Sequence, residues 1–162
     1  MDQSIESKES DYLFIEESNI SGAGLGLFTA INIFKDEIIS IFKGEVLSQK
    51  QAKIRVLKKE DRYFMNLPNG SIFDTSQTDC FAKYANDASG FSKSDFTNNA
   101  IIKLEDANKI CLVAKRKIKA GEEIFCAYGQ KYWDKLVEFT VLWPVYSVKI
   151  FIMHIFLNIN NK

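Results

Sequence analysis

The chain has 162 residues, 46% of them hydrophobic, and its 21 basic residues balance its 21 acidic ones. This length allows one domain with an ordinary core, so global disorder is excluded. Zero net charge argues against a protein that grips nucleic acid through a basic surface, so we expect no direct nucleic-acid binding. A single histidine argues against imidazole-rich metal sites and most Ser-His-Asp schemes. We therefore expect no metal, and chemistry carried by Tyr, Asn, Asp, the backbone or a cofactor.

The N-terminus and the cysteines bear on the cellular compartment. Residues 1–10 are polar and lack an apolar stretch, which predicts a disordered leader and not a secretory signal. Cys80, Cys111 and Cys126 are widely spaced without a CxxC pair, so neither a disulfide framework nor a zinc cluster is indicated. Such thiols suit a reducing compartment. We expect a protein of the nucleus or cytoplasm that is not secreted.

After the leader, the pattern is one of short strands separated by glycines and polar turns. Residues 86–99 are rich in Ser, Asn, Asp and Gly, which predicts a long loop, and loops of this length in compact domains are often functional. The class indicated is mainly β with short helices. Seven strands are expected, at residues 13–18, 26–30, 37–42, 71–74, 99–104, 109–115 and 123–128.

One helix is predicted in the middle of the chain, after Gly44. Ser48 and Gln51 have the spacing of a capping box, which marks a helix N-terminus. Ala52, Val56 and Leu57 then form a narrow apolar stripe. The other face carries basic residues: Lys50, Lys53, Arg55, Lys58 and Lys59.

The last part of the chain has a different composition. Residues 139–159 are strongly apolar and long enough to cross a bilayer. Pro144, Lys149 and His154 interrupt the run and argue against a span. Three readings stay open: a packed extension over an apolar groove, which we favour, a membrane anchor, and an artefact of a biased reading frame. Solubility without detergent would exclude the anchor.

Four motifs occur in a fixed order along the chain. The first has glycines at alternate positions, but it lacks the G-x-G-x-x-G spacing and the following helix of a dinucleotide site. The last contains a GEE-x4-YG element, the most specific of the four. The motifs are SGAGLGLFTA (21–30), IFKGEVLS (41–48), DCFAKYANDASG (79–90) and IKAGEEIFCAYGQKYW (118–133).

In order and spacing these motifs resemble the SET domain of protein lysine methyltransferases. That family has a G-x-G loop, an aromatic-x-G-E step, an R-F-x-N-H-S segment and a G-E-E-L-x-x-x-Y-G element. The resemblance implies a β-clip fold of short strands with a threaded, knot-like C-terminal segment. It places the SET domain at residues 11–135, followed by an apolar extension at 136–162. The implied activity is S-adenosylmethionine-dependent N-methylation of a protein lysine, with a histone tail as a possible substrate.

The resemblance also implies which residues bind the cofactor. Gly24, Leu25 and Gly26 match the loop that contacts the amino-acid end of S-adenosylmethionine. Asn86 and Asp87 match the Asn-His pair that holds the methionine amine and the adenine.

Other aromatic residues and one cysteine complete the implied site. Tyr84 is grouped with the cofactor-binding residues, and Tyr128 matches the tyrosine whose hydroxyl lies beside the transferred methyl. Phe42, Tyr63 and Cys126 are expected to line the substrate channel. A dry aromatic channel disfavours the ammonium form of a lysine, which must be neutral to accept a methyl group.

The chain departs from the family pattern in its third motif. Asp87 stands where the family has histidine, and the Cys and Pro that usually follow are missing, so that Asn98 and Asn99 come only after a longer loop. Cys126 occupies the place of an aromatic residue that often controls how many methyl groups are added. The competing hypothesis is therefore a binding module: a SET fold that holds a peptide or the cofactor without turnover.

Overall fold

The structure, a computed structural model, describes residues 5–90, 94–105, 109–129 and 155–156. The chain forms two compact units. The first contains residues 1–42 and 79–127, and the second contains residues 43–78 and 128–162. Short strands predominate and the helices are few and short, which confirms the mainly β class predicted from the sequence.

The elements follow one another closely along the chain. Helices and strands in chain order are α1 (Glu9–Tyr12), β1 (Leu13–Glu17), β2 (Leu25–Thr29), β3 (Ile38–Ile41), β4 (Glu45–Leu47), α2 (Gln49–Leu57), β5 (Phe64–Asn66), β6 (Ile72–Asp74), a 3-10 helix (Phe81–Tyr84), β7 (Ala100–Glu105), β8 (Lys109–Ala114), β9 (Glu123–Ile124) and β10 (Ile155–Phe156).

Two three-stranded antiparallel sheets form the first unit, with strand orders β1-β2-β9 and β3-β8-β7. Strand β8 lies in the middle of its sheet, and residues 110–114 are all buried. Its unbroken apolar run is therefore the pattern of a strand covered on both faces. Strand β9 pairs with β2 through Leu27 opposite Ile124, two side chains with no exposed surface.

The N-terminal turn is anchored to β3. Glu9 and Ser10, which the sequence places in the leader, form the start of α1. The Ile41 N–H donates to Glu9 Oε1 at 2.9 Å, and the Tyr12 hydroxyl donates to the Ile39 carbonyl at 2.9 Å. Two hydrogen bonds thus tie α1 to one strand.

The second unit contains a sheet of order β10-β5-β6-β4 with helix α2. The predicted capping box is present, since Ser48 Oγ accepts from the Gln51 N–H and Gln51 Oε1 accepts from the Ser48 N–H. Ala52 packs in a cluster with Leu47 and Phe64. The capping box predicted from the sequence is therefore confirmed.

The apolar stripe predicted on α2 is buried at one of its three residues and exposed at the other two. Ala52 is buried, but Val56 is 47% exposed and Leu57 is 84% exposed. The helix has nine residues, and its inward face carries Arg55 beside Ala52, because a buried carboxylate lies there. A period counted from apolar residues alone could not reveal that partner.

Three further predictions meet the structure only in part. The strand expected at 123–128 is shorter, because only Glu123–Ile124 lies in a ladder and the next two residues make isolated bridges. The apolar residues 139–159 lie outside the described residues, apart from Ile155–Phe156, which pairs in parallel with β5. The threaded C-terminal passage also reaches beyond residue 129 and stays a prediction. No helix within the described ranges has the length and apolarity to span a membrane.

The ion pair inside the second unit generates a stability prediction. Asp74 is 1% exposed, and its carboxylate pairs with Arg55, which also pairs with Glu45 at 2.7 Å. Among the described residues, Arg55→Ala leaves this buried negative charge with hydrogen bonds from Ser76 alone. We expect the free energy of unfolding to fall by about 3 kcal/mol. Urea unfolding measures it, with Lys50→Ala as the exposed control on the same helix; equal effects of the two substitutions would contradict the prediction.

The buried hydroxyl of Tyr12 predicts a loss of stability at high pH. Burial, together with the charge of Glu9, raises the pKa of Tyr12 to about 12, above the value of about 10 in an unfolded chain. The folded state therefore holds this proton more tightly, and its stabilising effect, complete below about pH 10, is lost as the pH rises towards 12. We expect wild-type protein to lose more stability between pH 9 and 11.5 than Tyr12→Phe in urea unfolding. Parallel losses would contradict this account of Tyr12.

Candidate cofactor site

A buried carboxylate, that of Glu123 in β9, joins three segments of the first unit. Its side chain accepts from Ser18 Oγ at 2.7 Å on Oε1 and from the Asn19 N–H at 2.7 Å on Oε2. Asn86 Nδ2 also approaches Oε1, at 3.3 Å. Glu123 is only 2% exposed. These protein donors therefore supply the hydrogen bonds that water would give to an exposed carboxylate.

The glycine motif lies against this carboxylate. A Cβ atom at Gly26 would collide with the Glu123 carboxylate and come within 3.3 Å of Ser18 Cα. Gly24 has a positive φ of 82° but open space beside it, and its carbonyl accepts from the Ser18 N–H at 2.7 Å. Gly26 is therefore required by close approach, whereas Gly24 is required by its backbone angle.

Asn86 connects the glycine motif to the GEE element. Its Nδ2 donates to the Leu25 carbonyl at 3.0 Å as well as to Glu123. Its own carbonyl accepts from the Cys126 N–H at 2.8 Å, and Asn86 forms a parallel bridge with Phe125. Residues separated by up to 101 positions, Leu25 to Cys126, thus meet around one asparagine.

A second asparagine, Asn99, is also hydrogen-bonded to the GEE element and the residues that follow it. Asn99 is 1% exposed; its Nδ2 donates to the Glu123 carbonyl at 2.8 Å, and its Oδ1 accepts from the Phe125 N–H at 2.9 Å. Ala100 forms a further parallel bridge with Cys126. Residues 125–126 therefore run between Asn86 and residues 99–100.

Asp87 is buried, with 7% exposure, and faces its own loop. Its Oδ1 accepts from the Ser89 N–H at 2.9 Å and from Asn98 Nδ2 at 2.8 Å. The carboxylate thus caps a turn and reaches across the base of the loop that the sequence predicts at 86–99.

Three more of the predicted site residues belong to the first unit. Cys126 is 1% exposed, and burial, with the nearby charge of Asp87, raises the pKa of its thiol. Phe42 is buried, and its N–H donates to the Ile110 carbonyl at 2.9 Å. Tyr84 is partly buried at the end of the 3-10 helix, with Lys83 Nζ 5.5 Å from its ring centroid. A buried thiol whose pKa is raised stays protonated and packs as a small apolar side chain.

Two predicted residues, Tyr63 and Tyr128, belong to the second unit. Tyr128 is 6% exposed, and Tyr63 is partly buried, with the guanidinium carbon of Arg62 5.3 Å from its ring centroid. Their place beside the cofactor-binding residues stays a prediction. The structure brings together Gly24, Leu25, Gly26, Asn86 and Asp87 with the previously unassigned residues Ser18, Glu123, Asn98 and Asn99.

The amide oxygen of Asn86 is the group of this arrangement that is open to a ligand. Within the described ranges no group of three His, Cys, Asp or Glu side chains could hold a metal ion. Asn86 uses its Nδ2 internally, and none of the described residues donates to its Oδ1. A free amide oxygen beside a buried carboxylate suits a ligand ammonium group. The residues present therefore fit the methionine end of S-adenosylmethionine.

The family comparison agrees with the geometry. The SET domain model matches residues 24–129, about two thirds of the 162 residues. A histone-lysine N-methyltransferase of Saccharomyces cerevisiae, described as H3 lysine-36 specific, is 29% identical over 65% of this chain and 15% of its own length. Histone-lysine N-methyltransferase CLF of Oryza sativa subsp. japonica is 28% identical over 75% of this chain and 13% of its own length. The chain therefore spans a small part of these relatives.

Solved structures give the same answer for the fold. An active polycomb repressive complex 2 in the basal state contains a chain with a TM-score of 0.61 and 26% identity, covering 73% of this chain and 15% of that one. A humanized mutant of the Chaetomium thermophilum complex, bound to the inhibitor GSK343, gives 0.61 and 26%, covering 72% and 15%. With a family model that matches about two thirds of the chain and the four motifs in order, this chain belongs to the SET-domain family.

Proposed function

We propose that the protein is an S-adenosylmethionine-dependent protein lysine N-methyltransferase. The observation that carries this proposal is the pair of hydrogen bonds from Asn86 to Leu25 and Glu123. They join the glycine motif, the asparagine motif and the GEE element, which are the three parts that the family resemblance assigns to cofactor binding. The names of the relatives support the same activity.

In this proposal the chain's own residues bind and orient the cofactor. Asn86 Oδ1 accepts from the methionine ammonium, and the backbone at Gly24 and Leu25 approaches the amino-acid end. Glu123 holds Asn86 Nδ2 and so keeps the amide oxygen turned towards the ligand. Asp87 contributes backbone groups to the adenine, and Tyr84 packs nearby. The buried carboxylate of Asp87 accepts hydrogen bonds from Ser89 and Asn98 of its own loop.

The reaction needs alignment and desolvation more than acid or base strength. S-adenosylmethionine supplies an electrophilic methyl group, which passes to a neutral lysine amine as the carbon–sulfur bond breaks and a carbon–nitrogen bond forms. Holding the amine in line can contribute about 7–11 kcal/mol to lowering the barrier. Phe42, Tyr63 and Cys126 would line the channel that admits the lysine, and the Tyr128 hydroxyl would offer an oxygen to the polarised methyl C–H groups.

The acceptor in this proposal is a lysine side chain of a protein, with a histone tail as the first candidate. The relatives are named for histone lysines, and such a substrate implies a nuclear location. Zero net charge gives no long-range field to attract a basic tail, so recognition would depend on contacts near the target lysine.

Tritium transfer tests the proposed activity. The protein is incubated with methyl-labelled S-adenosylmethionine and either core histones or whole-cell lysate, and protein-bound label is measured. We expect labelling by wild-type protein and a loss of about two- to fivefold in kcat for Tyr128→Phe, because one weakly bonding oxygen beside the methyl is removed. Cofactor affinity should change less than about twofold, since uniform binding is retained.

Tyr12→Phe is the matched control, since it removes a buried tyrosine hydroxyl whose partner is the Ile39 carbonyl. Its transfer rate should equal that of wild-type protein at pH 8. Full activity of Tyr128→Phe would refute the role of Tyr128. Cofactor binding without transfer to any protein would favour the alternative, a SET-fold binding module.

The Glu123 carboxylate gives a second prediction for the cofactor site. Glu123→Ala removes the acceptor of Ser18 and Asn19 and one partner of Asn86, leaving buried donors without a partner. We expect the free energy of unfolding to fall by about 3 kcal/mol, and the Kd for S-adenosylhomocysteine to rise. Urea unfolding and titration calorimetry measure the two effects.

Glu122 offers a control from the same GEE element. It is paired with Arg116 at 3.0 Å, and both side chains are substantially exposed. Glu122→Ala should cost less than about 1 kcal/mol and leave cofactor affinity unchanged. If the two substitutions had the same effect on binding, the central position of Glu123 would have no functional meaning.

A further inference from the structure

Asp87 stands where the SET-domain pattern has histidine, so this chain has a carboxylate where the family has an imidazole. The side chain is buried, with 7% exposure, and its Oδ1 receives two hydrogen bonds from its own loop. A carboxylate buried in this way is a fixed acceptor that can hold separate stretches of backbone in place.

Asp87, Ser89 and Asn98 are joined by several hydrogen bonds. Asn98 Nδ2 donates to Asp87 Oδ1 at 2.8 Å and to Ser89 Oγ at 3.1 Å, while Asn98 Oδ1 accepts from the Ala88 N–H at 2.9 Å. The Ser89 N–H also donates to Asp87, at 2.9 Å. We call these residues, Asp87, Ala88, Ser89 and Asn98, the loop clamp.

The loop clamp is continuous with the proposed cofactor site at both of its ends. Asp87 follows Asn86, whose carbonyl accepts from the Cys126 N–H at 2.8 Å. Asn98 precedes Asn99, which exchanges hydrogen bonds with Phe125. The clamp therefore closes a ring through residues 86–87, 98–99 and 125–126, and its opening would release the Asn86 backbone on one side.

Residues of this ring also take part in apolar packing. Ala88 packs in a buried cluster with Ile20 and Phe125, and Ala23 of the glycine motif lies against that cluster. Displacing the Ala88 backbone would therefore disturb the segment that leads into Gly24 as well as Asn86.

We propose that Asp87 is a positioning residue for the cofactor, acting through its hydrogen bonds to Ser89 and Asn98 to hold Asn86 in its binding geometry. The inference rests on the proposed function, because it presumes that Asn86 contacts S-adenosylmethionine. By holding Asn86 in this way, the loop clamp would make an aspartate at position 87 compatible with cofactor binding.

The test is titration calorimetry with S-adenosylhomocysteine on the full chain, with the melting temperature of each variant measured in parallel. Asp87→Ala and Asn98→Ala should each raise Kd about tenfold, and the double variant should be little worse than either single variant, because both remove one clamp. Asp87→Asn should stay within about twofold of wild-type protein, since its Oδ1 still accepts from Ser89 and Asn98. Asp95→Ala removes an exposed carboxylate of the same loop and should leave Kd unchanged.

An exchange of the two side chains guards against variants that fail to fold. Asn98→Asp places two carboxylates in contact and should raise Kd. Combining it with Asp87→Asn allows the amide introduced at position 87 to donate to the carboxylate introduced at position 98, and should restore Kd to within about threefold of wild-type protein.

The possible outcomes separate this inference from the proposed function. If wild-type protein binds no S-adenosylhomocysteine, the cofactor assignment fails and the role of Asp87 fails with it. If wild-type protein binds and the alanine variants lower the melting temperature but keep the wild-type Kd, the clamp only stabilises the loop and the inference alone is overturned. Failure of the exchanged pair to restore Kd would likewise contradict the clamp.

Discussion

The candidate site depends on one electrostatic constraint: a carboxylate buried where three chain segments meet. Glu123 has almost no contact with solvent, so Ser18, Asn19 and Asn86 must stay within hydrogen-bond distance of it. An unsatisfied charge at this place would cost more than any one of these contacts contributes. The positions of the glycine motif and of Asn86 follow from this requirement.

Close packing around the carboxylate explains the composition of the neighbouring segments. Gly26 has no Cβ because the carboxylate occupies that space. Asn86 and Asn99 are amides, each able to donate and accept at once, and each bridges a strand end to the GEE element. Residues 125–126 make only isolated bridges with their neighbouring segments among the described residues. Polar side chains therefore hold these segments together inside the first unit, as ladder hydrogen bonds hold the strands of a regular sheet.

Motifs in the sequence predict much of this arrangement. The remaining contacts join distant residues and leave no local pattern in the sequence. The capping box of α2 and the buried run of β8 are short-range patterns that the chain shows directly. Ser18, by contrast, lies 105 residues from its partner Glu123, and no periodicity links them. Arg55, predicted on the basic face of α2, instead pairs with the buried Asp74, a pairing that only tertiary structure reveals. The sequence shows an aspartate at position 87 where the family has histidine, but it does not show that Asp87 is hydrogen-bonded to Asn98.

The passage of residues 125–126 between Asn86 and Ala100 also governs the order in which the molecule can be made. The hydrogen bonds of Asn86 and Asn99 to this segment cannot form until the ribosome has released the chain well beyond Cys126. Closing loops of this length carries an entropic cost that precedes any gain from contacts. The glycine motif is synthesised before the other three motifs, but its packing against the Glu123 carboxylate becomes possible only when the GEE element has been made. Leu27 can pair with Ile15 of β1 early in synthesis, but its pairing with Ile124 of β9 has to wait until the later part of the domain has been made.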